Sequence, residues 1–423
     1  PEPAPAPAPR APAKKAAQEA AKPPARQASR KAAAATTQAK AEPPGDSHLL
    51  GGAPAARRSV QPTAGGEPYL RVEMLPAGHG DALWIEYGQA GGVTHRVLVD
   101  CGTTGTYKKA LKKRIEQVPR AERHFELFML SHIDADHIGG AIPFLKEAKS
   151  LGISFGDVWF NGFKHLASMM GSTQGEVFSV LIQDNELPWN RAFKGRAVVV
   201  QGGKLPVVTL PGGMVLTVLS PTPPKLKDLG ETWEKEIEAL GLKPGDADAV
   251  RKRFLAHKDN VSTSENVTEL AQEDFNPDSA EANGSSIAVL AEYQGKSVLL
   301  GADAHAQVLV ETINLLLRQR RISRLPVSAF KVPHHASQNN LNVGMMELLN
   351  CRNYLISTNG SHFNHPDRQA IARVIAHGGE RPQLWFNVKS ALNEVWAKPA
   401  LQKMYAYDAF FPAGKEQGLA ITL

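Results

Sequence analysis

The sequence predicts a layered α/β domain with histidine and aspartate at several of its strand ends, preceded by a long polar segment without a fold of its own. From about residue 68 onward, short apolar runs typical of strands alternate with helical stretches. Loops at the strand ends of such folds converge on one edge and carry the chemistry. Five of the apolar runs are followed by histidine or aspartate: Asp100, His132, Asp303, His335 and the segment 362–365.

Residues 1–67 are rich in Pro, Ala, Lys, Gln and Ser, and we expect them to form a disordered basic linker. They contain 10 Lys and Arg against 5 Asp and Glu, whereas residues 68–423 contain 38 against 37. The net charge of +6 therefore belongs mainly to this segment, which gives only weak, salt-dependent attraction to nucleic acid. Such a segment usually tethers one folded unit to another, so we expect a fused upstream domain or a tethered partner.

Composition excludes several classes of protein. Hydrophobic residues make up 42% of the chain and charged residues 21%, which is ordinary for a globular protein with a sizeable core. No stretch approaches 18 uninterrupted apolar residues, so no membrane span is predicted. Cys101 and Cys351 are too few for a disulfide framework. We therefore expect a cytoplasmic protein with reduced cysteines.

The elements of the folded domain, residues 68–423, follow from apolar patterning. Polar residues 222–282 are interpreted as a helical insertion over the core, and helices are predicted at about 107–118, 141–149 and 306–318. Strands are predicted at 69–75, 82–87, 96–100, 126–130, 158–160, 198–200, 214–219, 286–293, 297–301, 327–332 and 354–357.

The segment from His132 to His137 places four metal-binding side chains within six residues. Alternate residues of an extended segment point the same way, so His132, Asp134 and Asp136 face one space, and His137 turns inward as a helix begins. One ion rarely needs four ligands from one loop, so the pattern favours two adjacent divalent ions. The alternative is a helix N-terminus capped by Asp134 or Asp136, but capping requires only one carboxylate.

Three further residues are predicted metal ligands. Asp303 follows a strand and is the natural bridging carboxylate between two ions. His334 and His335 end the strand at 327–332, and we expect at least one of them to bind metal. Hydrogen bonding within the protein is the alternative role for this histidine pair.

Polar residues close to these ligands are candidates for catalysis. Lys331 either contacts a substrate phosphate or lies in solvent. His365, preceded by Asn364, is a candidate general acid or oxyanion contact, although a proline-bounded turn can also hold a histidine for local hydrogen bonding. The predicted catalytic set therefore consists of Asp136, Asn364, His365 and Lys331.

In this order the motifs resemble those of the metallo-β-lactamase superfamily, and within it the hydrolase domain of ComEC-type competence proteins. The resemblance covers about residues 69–380, interrupted by residues 222–282. It implies an αββα sandwich, a dinuclear metal site and a DNA-degrading phosphodiesterase activity. The matching segments are Gly80-Asp81-Ala82, Val99-Asp100-Cys101-Gly102, 130–140, Asn283-Gly284-Ser285-Ser286, Leu300-Gly301-Ala302-Asp303, 331–337 and Asn364-His365-Pro366.

The sequence departs from the superfamily pattern at two metal-binding positions. The third histidine is absent, and Ser220-Pro221-Thr222-Pro223 stands there. Water, the loop 283–285, or a histidine from elsewhere (His165 or His257) completes that position, or only one metal binds tightly. Asp134 stands where most members have histidine, which shifts the preference towards manganese or magnesium while zinc remains a candidate.

The function favoured by these features is hydrolysis of a phosphodiester, in nucleic acid or a small molecule, by two divalent ions (zinc or manganese, with magnesium a third option). Two alternatives remain. The near-neutral charge of residues 68–423 is compatible with a small ester, lactone or phosphocholine-type substrate. The missing histidine is compatible with a sensor module that binds a nucleotide or partner without turnover. The ligands expected for the first ion are Asp136, His137, Asp303 and His335, and those for the second are His132, Asp134 and Asp303.

Overall fold

The structure is a computed structural model that describes residues 66–162, 165, 173–230, 268, 271, 275–361, 364–414 and 417–423. The predicted linker 1–67 lies almost entirely outside the described residues, as does most of the predicted insertion 222–282. The described residues form two large β-sheets with flanking helices, which confirms the predicted α/β sandwich. None of the described helices is long and apolar enough to cross a membrane.

The strands are β1 Pro68–Met74, β2 Leu83–Gln89, β3 Thr94–Val99, β4 His124–Phe125, β5 Leu127–Met129, β6 Ser154–Phe155, β7 Val158–Trp159, β8 Val207–Thr209, β9 Val215–Ser220, β10 Ala288–Tyr293, β11 Lys296–Leu300, β12 Leu325–Lys331, β13 Leu349–Ile356, β14 Gln383–Phe386, β15 Asp408–Phe410 and β16 Leu419–Thr422.

Helix α1 consists of the consecutive segments Thr104–Thr106, Tyr107–Leu111 and Lys112–Glu116. The other helices are α2 Ala135–Ile138, α3 Ala141–Leu151, α4 Thr173–Asp184, α5 Glu281–Gly284, α6 Ala306–Arg320, α7 Val343–Leu348, α8 Arg368–His377 and α9 Pro399–Tyr405. Residues 223–230 are also helical. Short 3-10 helices occupy Arg120–Glu122, Arg191–Phe193, Pro211–Gly213, His334–Ala336 and Glu394–Ala397.

The first sheet has the strand order β16-β1-β2-β3-β5-β7. Strands β1 to β3 pair antiparallel, whereas β3, β5 and β7 pair parallel. Side chains alternate across the sheet, as the period of two requires. Val97 and Val99 join the core shared with the second sheet, and Leu98 between them packs with the helices. This alternation fixes which face of the sheet lies inside the sandwich.

The second sheet has the order β15-β14-β13-β12-β11-β10-β9-β8. Strands β8 to β11 are antiparallel, and β11 to β15 are parallel. Parallel strands point their carboxyl ends to the same edge, so the residues that follow β11, β12 and β13 come close together. The same holds for β3 and β5 in the first sheet. These ends carry the candidate site.

The predicted strand at 198–200 is wrong. Val198 donates its backbone N–H to the Asn161 side chain at 2.8 Å, and Val200 donates its own to the Pro221 carbonyl at 2.8 Å. Their hydrogen bonds therefore go to a side chain and a loop instead of a neighbouring strand, and residues 197–200 are irregular.

Candidate metal centre

The loop after β5 carries the first group of predicted ligands. Asp134 is the extended residue immediately before α2, at the N-cap position, and its side chain makes no capping hydrogen bond. The capping interpretation is therefore wrong for Asp134. The His132 and His137 rings lie 4.2 Å apart between centroids. The short helix thus brings His137 beside His132, five residues earlier in the chain.

Two glycines allow neighbouring loops to approach this ligand loop closely. A Cβ on Gly80 would lie 1.8 Å from the Asp136 carbonyl oxygen, to which Asp81 donates its backbone N–H at 3.2 Å. A Cβ on Gly140 would lie 2.1 Å from the Cys101 carbonyl oxygen. Any larger residue would push these loops apart, so glycine is required for the site to close.

The carboxylate of Asp303 occupies the middle of the site. Its Oδ2 atom lies 3.3 to 3.8 Å from the Nε2 atoms of four imidazoles. Two ligands on one zinc ion, each about 2.0–2.1 Å from it, lie roughly 3.0–3.5 Å apart. The spacing around Asp303 is therefore close to that of a metal-ligand set. The distances are 3.3 Å for His137, 3.6 Å for His335 and 3.8 Å for both His132 and His334.

Asp100 holds two of these imidazoles in place from behind. His137 Nδ1 lies 2.8 Å from Asp100 Oδ2. The Ser131 hydroxyl donates to the same oxygen at 2.7 Å and lies 2.9 Å from His132 Nδ1, from which it can accept. A neutral imidazole that donates from Nδ1 carries a lone pair on Nε2, which is how histidine binds metal. Asp100 thus orients ligands instead of being one.

His334 and His335 both direct Nε2 towards Asp303, which adjacent residues of an extended chain would not do. Their positive φ angles, 45° and 53°, place both in the left-handed region. His335 Nδ1 lies 2.8 Å from the Ser357 carbonyl oxygen, and His334 Nδ1 lies 2.8 Å from Asn340 Oδ1. Both rings are therefore held in the orientation that suits metal binding.

The electrostatics of the site favour bound positive charge. Burial acts to raise the pKa of Asp303, but the imidazoles of His137 and His335 outweigh it and hold that pKa well below the usual range. Burial opposes charge on His335, yet Asp303 and Asp81 raise its pKa to about 10. Carboxylates buried beside imidazoles thus stabilise cations here, a role that divalent ions can fill.

Unpartnered atoms also indicate that the residues fit a metal. His132 Nε2 and Asp303 Oδ1 are buried and have no hydrogen-bond partner among the described residues. A buried polar atom without a partner costs free energy, and a metal ion would satisfy both atoms. His132, His137 and Asp303 place one donor atom each within 4.8 Å of one another.

Lys331 takes neither of its predicted positions. Its side chain is completely buried, its Nζ lies 2.7 Å from Asp81 Oδ2, and it donates to the Val332 carbonyl at 3.0 Å. It is therefore neither in solvent nor placed to meet a phosphate. Asp81 Oδ1 lies 3.5 Å from His335 Nδ1. Asp81, His137 and His335 also form a geometric cluster, but Lys331 already neutralises Asp81, so orienting His335 is the better role for it.

Comparison with known proteins identifies the family of the chain. The sequence profile described as the metallo-beta-lactamase superfamily matches residues 75–349, more than half of the chain. The chain belongs to the metallo-β-lactamase superfamily. No curated protein matches it.

Among solved structures, the chain is similar to CmlA, a diiron β-hydroxylase from Streptomyces venezuelae, at 11% identity and a TM-score of 0.31, over 86% of this chain and 55% of that one. It therefore spans about half the length of CmlA. It is also similar to two mutant forms of a flavo-diiron protein from Thermotoga maritima, at 10% identity and a TM-score of 0.21, over 80% of this chain and 85% of those.

Ser220, which the resemblance predicts to stand in place of the third superfamily histidine, is the last residue of β9. Its hydroxyl is buried without a hydrogen-bond partner in the described part of the chain, as are Asn283 Oδ1 and the Ser286 hydroxyl. His165 lies elsewhere, with Nε2 3.2 Å from the Gly195 carbonyl oxygen. His257 lies outside the described residues.

Two further predicted residues, Asp134 and His365, lie close to the imidazoles of the centre. The Asp134 side chain is 42% exposed, with Oδ2 3.5 Å from His132 Nε2. His365 Nδ1 lies 3.1 Å from Asp367 Oδ1, and its ring is 5.3 Å from that of His334. Burial lowers the pKa of His365, although Asp367 opposes this. Asn364 precedes it with a φ of 61°.

Sequence reasoning missed the residues that hold the ligands. Asp278 lies 3.4 Å from His334 Nδ1 and, with Asn340, surrounds that ring, while Ser357 supports His335 through its backbone. Every residue has a backbone carbonyl, so the sequence does not show which carbonyl accepts a hydrogen bond from a histidine. Among these supporting residues, Asp81 could have been recognised in the sequence. It is a carboxylate beside glycine in the turn between β1 and β2, in an otherwise apolar region.

Proposed function

We propose that this protein is a metal-dependent hydrolase of phosphodiesters, with nucleic acid as the favoured substrate. The observation that carries the proposal is the convergence of four imidazoles on Asp303, together with the carboxylates of Asp134 and Asp136 on the adjoining loop. Most members of this superfamily are metal-dependent hydrolases. A carboxylate-enriched site suits ions that bind oxygen well, which supports manganese or zinc, with magnesium as a third option.

The donor groups divide into two sets that share Asp303. Asp136 belongs with the first set, since its Oδ2 lies 3.2 Å from His335 Nε2. His334 supplies the imidazole that Ser220 cannot, because its Nε2 also faces Asp303. The first set is Asp136, His137, His335 and Asp303, and the second is His132, Asp134, His334 and Asp303.

Two bound divalent ions would supply the Lewis acidity that activates a water molecule and neutralises the phosphate. The protein's part is to fix the donor atoms. Asp100 and Ser131 orient two imidazoles, and the buried pair of Asp81 and Lys331 supports His335. Such supporting hydrogen bonds change metal affinity by about 10- to 100-fold.

His365 is the proposed contact to the leaving oxygen. Two contacts support this role: Asp367 holds its ring, with Oδ1 3.1 Å from His365 Nδ1, and the ring lies 5.3 Å from that of His334. Asn364 positions His365 through the turn that precedes it. A positioned group of this kind contributes about 10²–10⁴-fold to the rate of hydrolysis.

The test uses metal-stripped full-length protein reloaded with manganese, zinc or magnesium. Linear single-stranded DNA, duplex DNA, RNA and bis(p-nitrophenyl) phosphate are offered in turn. We expect cleavage by the reloaded protein, loss of cleavage in Asp136→Ala, and normal cleavage in the exposed control Glu311→Gln. Absence of cleavage of every phosphodiester, or equal cleavage by Asp136→Ala, would refute the proposal.

The same experiment separates the two alternatives. Hydrolysis of a p-nitrophenyl ester or a lactone without phosphodiester cleavage would indicate the small-ester function. A metal content below about one ion per chain would indicate a binding module, because activation of water needs at least one ion.

A further inference from the structure

A cavity of about 710 Å³ lies beside the metal-binding loop and contains none of the metal ligands. Four cationic side chains line it, and the lining residues that the structure describes include no aspartate or glutamate. The folded domain as a whole is almost neutral, since residues 68–423 contain 38 basic and 37 acidic residues. Positive charge is therefore concentrated locally in this cavity. The four cations are Lys194, Arg196, Lys204 and Lys227.

Apart from His165 and Gln201, the other residues that line the cavity are apolar. Phe193, Pro206 and Leu226 line it together with small aliphatic residues. A site for a small inorganic anion would have no need of such a surface. The combination of cations and apolar walls instead matches a ligand that carries both charge and flat apolar groups, as nucleotides do.

The cavity adjoins the metal centre through one residue. Ile133, which lies between His132 and Asp134, packs against the apolar cluster of Leu226 and Leu229, and Ala197 and Val199 pack against the same cluster. Leu226, Ala197 and Val199 also line the cavity. The cavity and the loop that carries the candidate ligands therefore share one apolar cluster, which makes them neighbours in the fold.

We propose that this cavity binds the nucleotides flanking the cleaved bond of a single-stranded nucleic acid. The inference rests on the proposed function and names its substrate class. Bases of a single strand can lie on the apolar wall while their phosphates meet the lysines and arginine. In a duplex the base faces are stacked inside and cannot reach such a wall.

The test measures binding separately from cleavage. Full-length protein carrying Asp136→Ala binds a fluorescein-labelled 20-nucleotide single strand or the matching duplex, followed by fluorescence anisotropy between 50 and 300 mM salt. The double substitution Arg196→Glu with Lys204→Glu alters the cavity. Arg318→Glu with Lys403→Glu, two exposed residues elsewhere, is the control with the same change of charge. All proteins keep residues 1–67, so the basic linker contributes equally.

We expect the parent protein to bind the single strand more tightly than the duplex. Four phosphate contacts would contribute about −2.8 to the slope of log K against log salt, at roughly −0.7 per contact. The cavity variant should bind at least about tenfold more weakly and lose about half of that contribution, while the control variant is unchanged. Circular dichroism melting checks that both variants fold.

Three outcomes would overturn the inference: tighter binding of the duplex, equal losses in both variants, or no binding of the single strand. If reloaded wild-type protein cleaves phosphodiesters but the cavity variant binds normally, the proposed function stands and the cavity assignment fails. If the cavity variant loses binding but no substrate is cleaved, the cavity assignment stands and the proposed function fails.

Discussion

The metal centre and the basic cavity beside it both concentrate charge, but they do so at opposite extremes of burial. In the metal centre, Asp303 is 2% exposed and His137 is fully buried, and each buried imidazole has a partner behind it. In the cavity, Lys194, Arg196 and Lys204 are exposed. A buried charge must be compensated or the fold loses stability, whereas an exposed charge is compensated by water. Substitutions in the centre should therefore affect structure and activity together, and those in the cavity should affect binding alone.

The largest effect is expected from Asp303→Asn. The amide keeps the shape of the side chain but removes the negative charge that two ions would share. We expect metal content to fall below two ions per chain and phosphodiesterase activity to fall by about 10²–10³-fold or more. Elemental analysis and hydrolysis of bis(p-nitrophenyl) phosphate measure the two effects. Unchanged metal content and activity would remove Asp303 from the centre.

Lys331→Met tests whether the buried ion pair of Lys331 with Asp81 is needed for the stability of the fold. It leaves Asp81 buried without its cation, and we expect a loss of about 3–5 kcal/mol in the free energy of unfolding. Urea denaturation measures this loss. The double variant Lys331→Met with Asp81→Leu should recover part of it, since no unpaired charge remains. Normal stability combined with weaker nucleic-acid binding would instead indicate that Lys331 contacts substrate.

Asp100→Asn tests whether the hydrogen bonds that orient the candidate ligands contribute to metal affinity. Without the carboxylate, His137 Nδ1 loses its charged partner, and we expect metal affinity to fall by about 10- to 100-fold. Competition with a chelator of known affinity measures the change. At saturating metal the activity should largely return, because Asp100 does not face the substrate. Lasting inactivity at saturating metal would contradict this positioning role.

Glu86 lies between the two extremes, in a partly buried network with Arg96 and Arg114. Burial acts to raise its pKa, but the Trp84 side chain and the charge of Arg114 lower it below 4.5. The ionised form therefore stabilises the fold above pH 4.5, and this stabilisation is lost as the pH falls through the lowered pKa. Glu86→Gln should cost about 1–2 kcal/mol at pH 7 and flatten the dependence of stability on acidic pH. Equal slopes for the variant and the parent protein between pH 3 and 6 would contradict this.

The smallest effect is expected from Lys194→Ala in the cavity. An exposed cation contributes about 0.2–1 kcal/mol, so single-strand binding should weaken by less than about fivefold. The salt slope should become shallower by about 0.7. Thermal stability and metal content should stay those of the parent protein. A large loss of stability would contradict the comparison, because it would show that an exposed cation of the cavity contributes to folding as the buried charges of the metal centre do.

Much of the fold was predictable from the sequence because strands and helices leave local signals. The apolar runs before Asp100, His132 and Asp303 predicted strands, and the structure has β3, β5 and β11 there. The strand at 198–200 was mispredicted because its backbone hydrogen bonds go to Asn161 and Pro221. An apolar pattern does not show whether a neighbouring strand is available to pair with the segment.

By itself, the sequence determined that His132, Asp134, Asp136 and His137 lie on one loop, because six residues cannot separate their side chains far. Only the tertiary structure decided the remaining roles. Lys331 faces Asp81 across 250 residues of sequence, and His334 turns towards Asp303 through an unusual backbone conformation. The physical reason is that burial and pairing depend on which loops meet at the sheet edge, a property of the whole sandwich rather than of any segment.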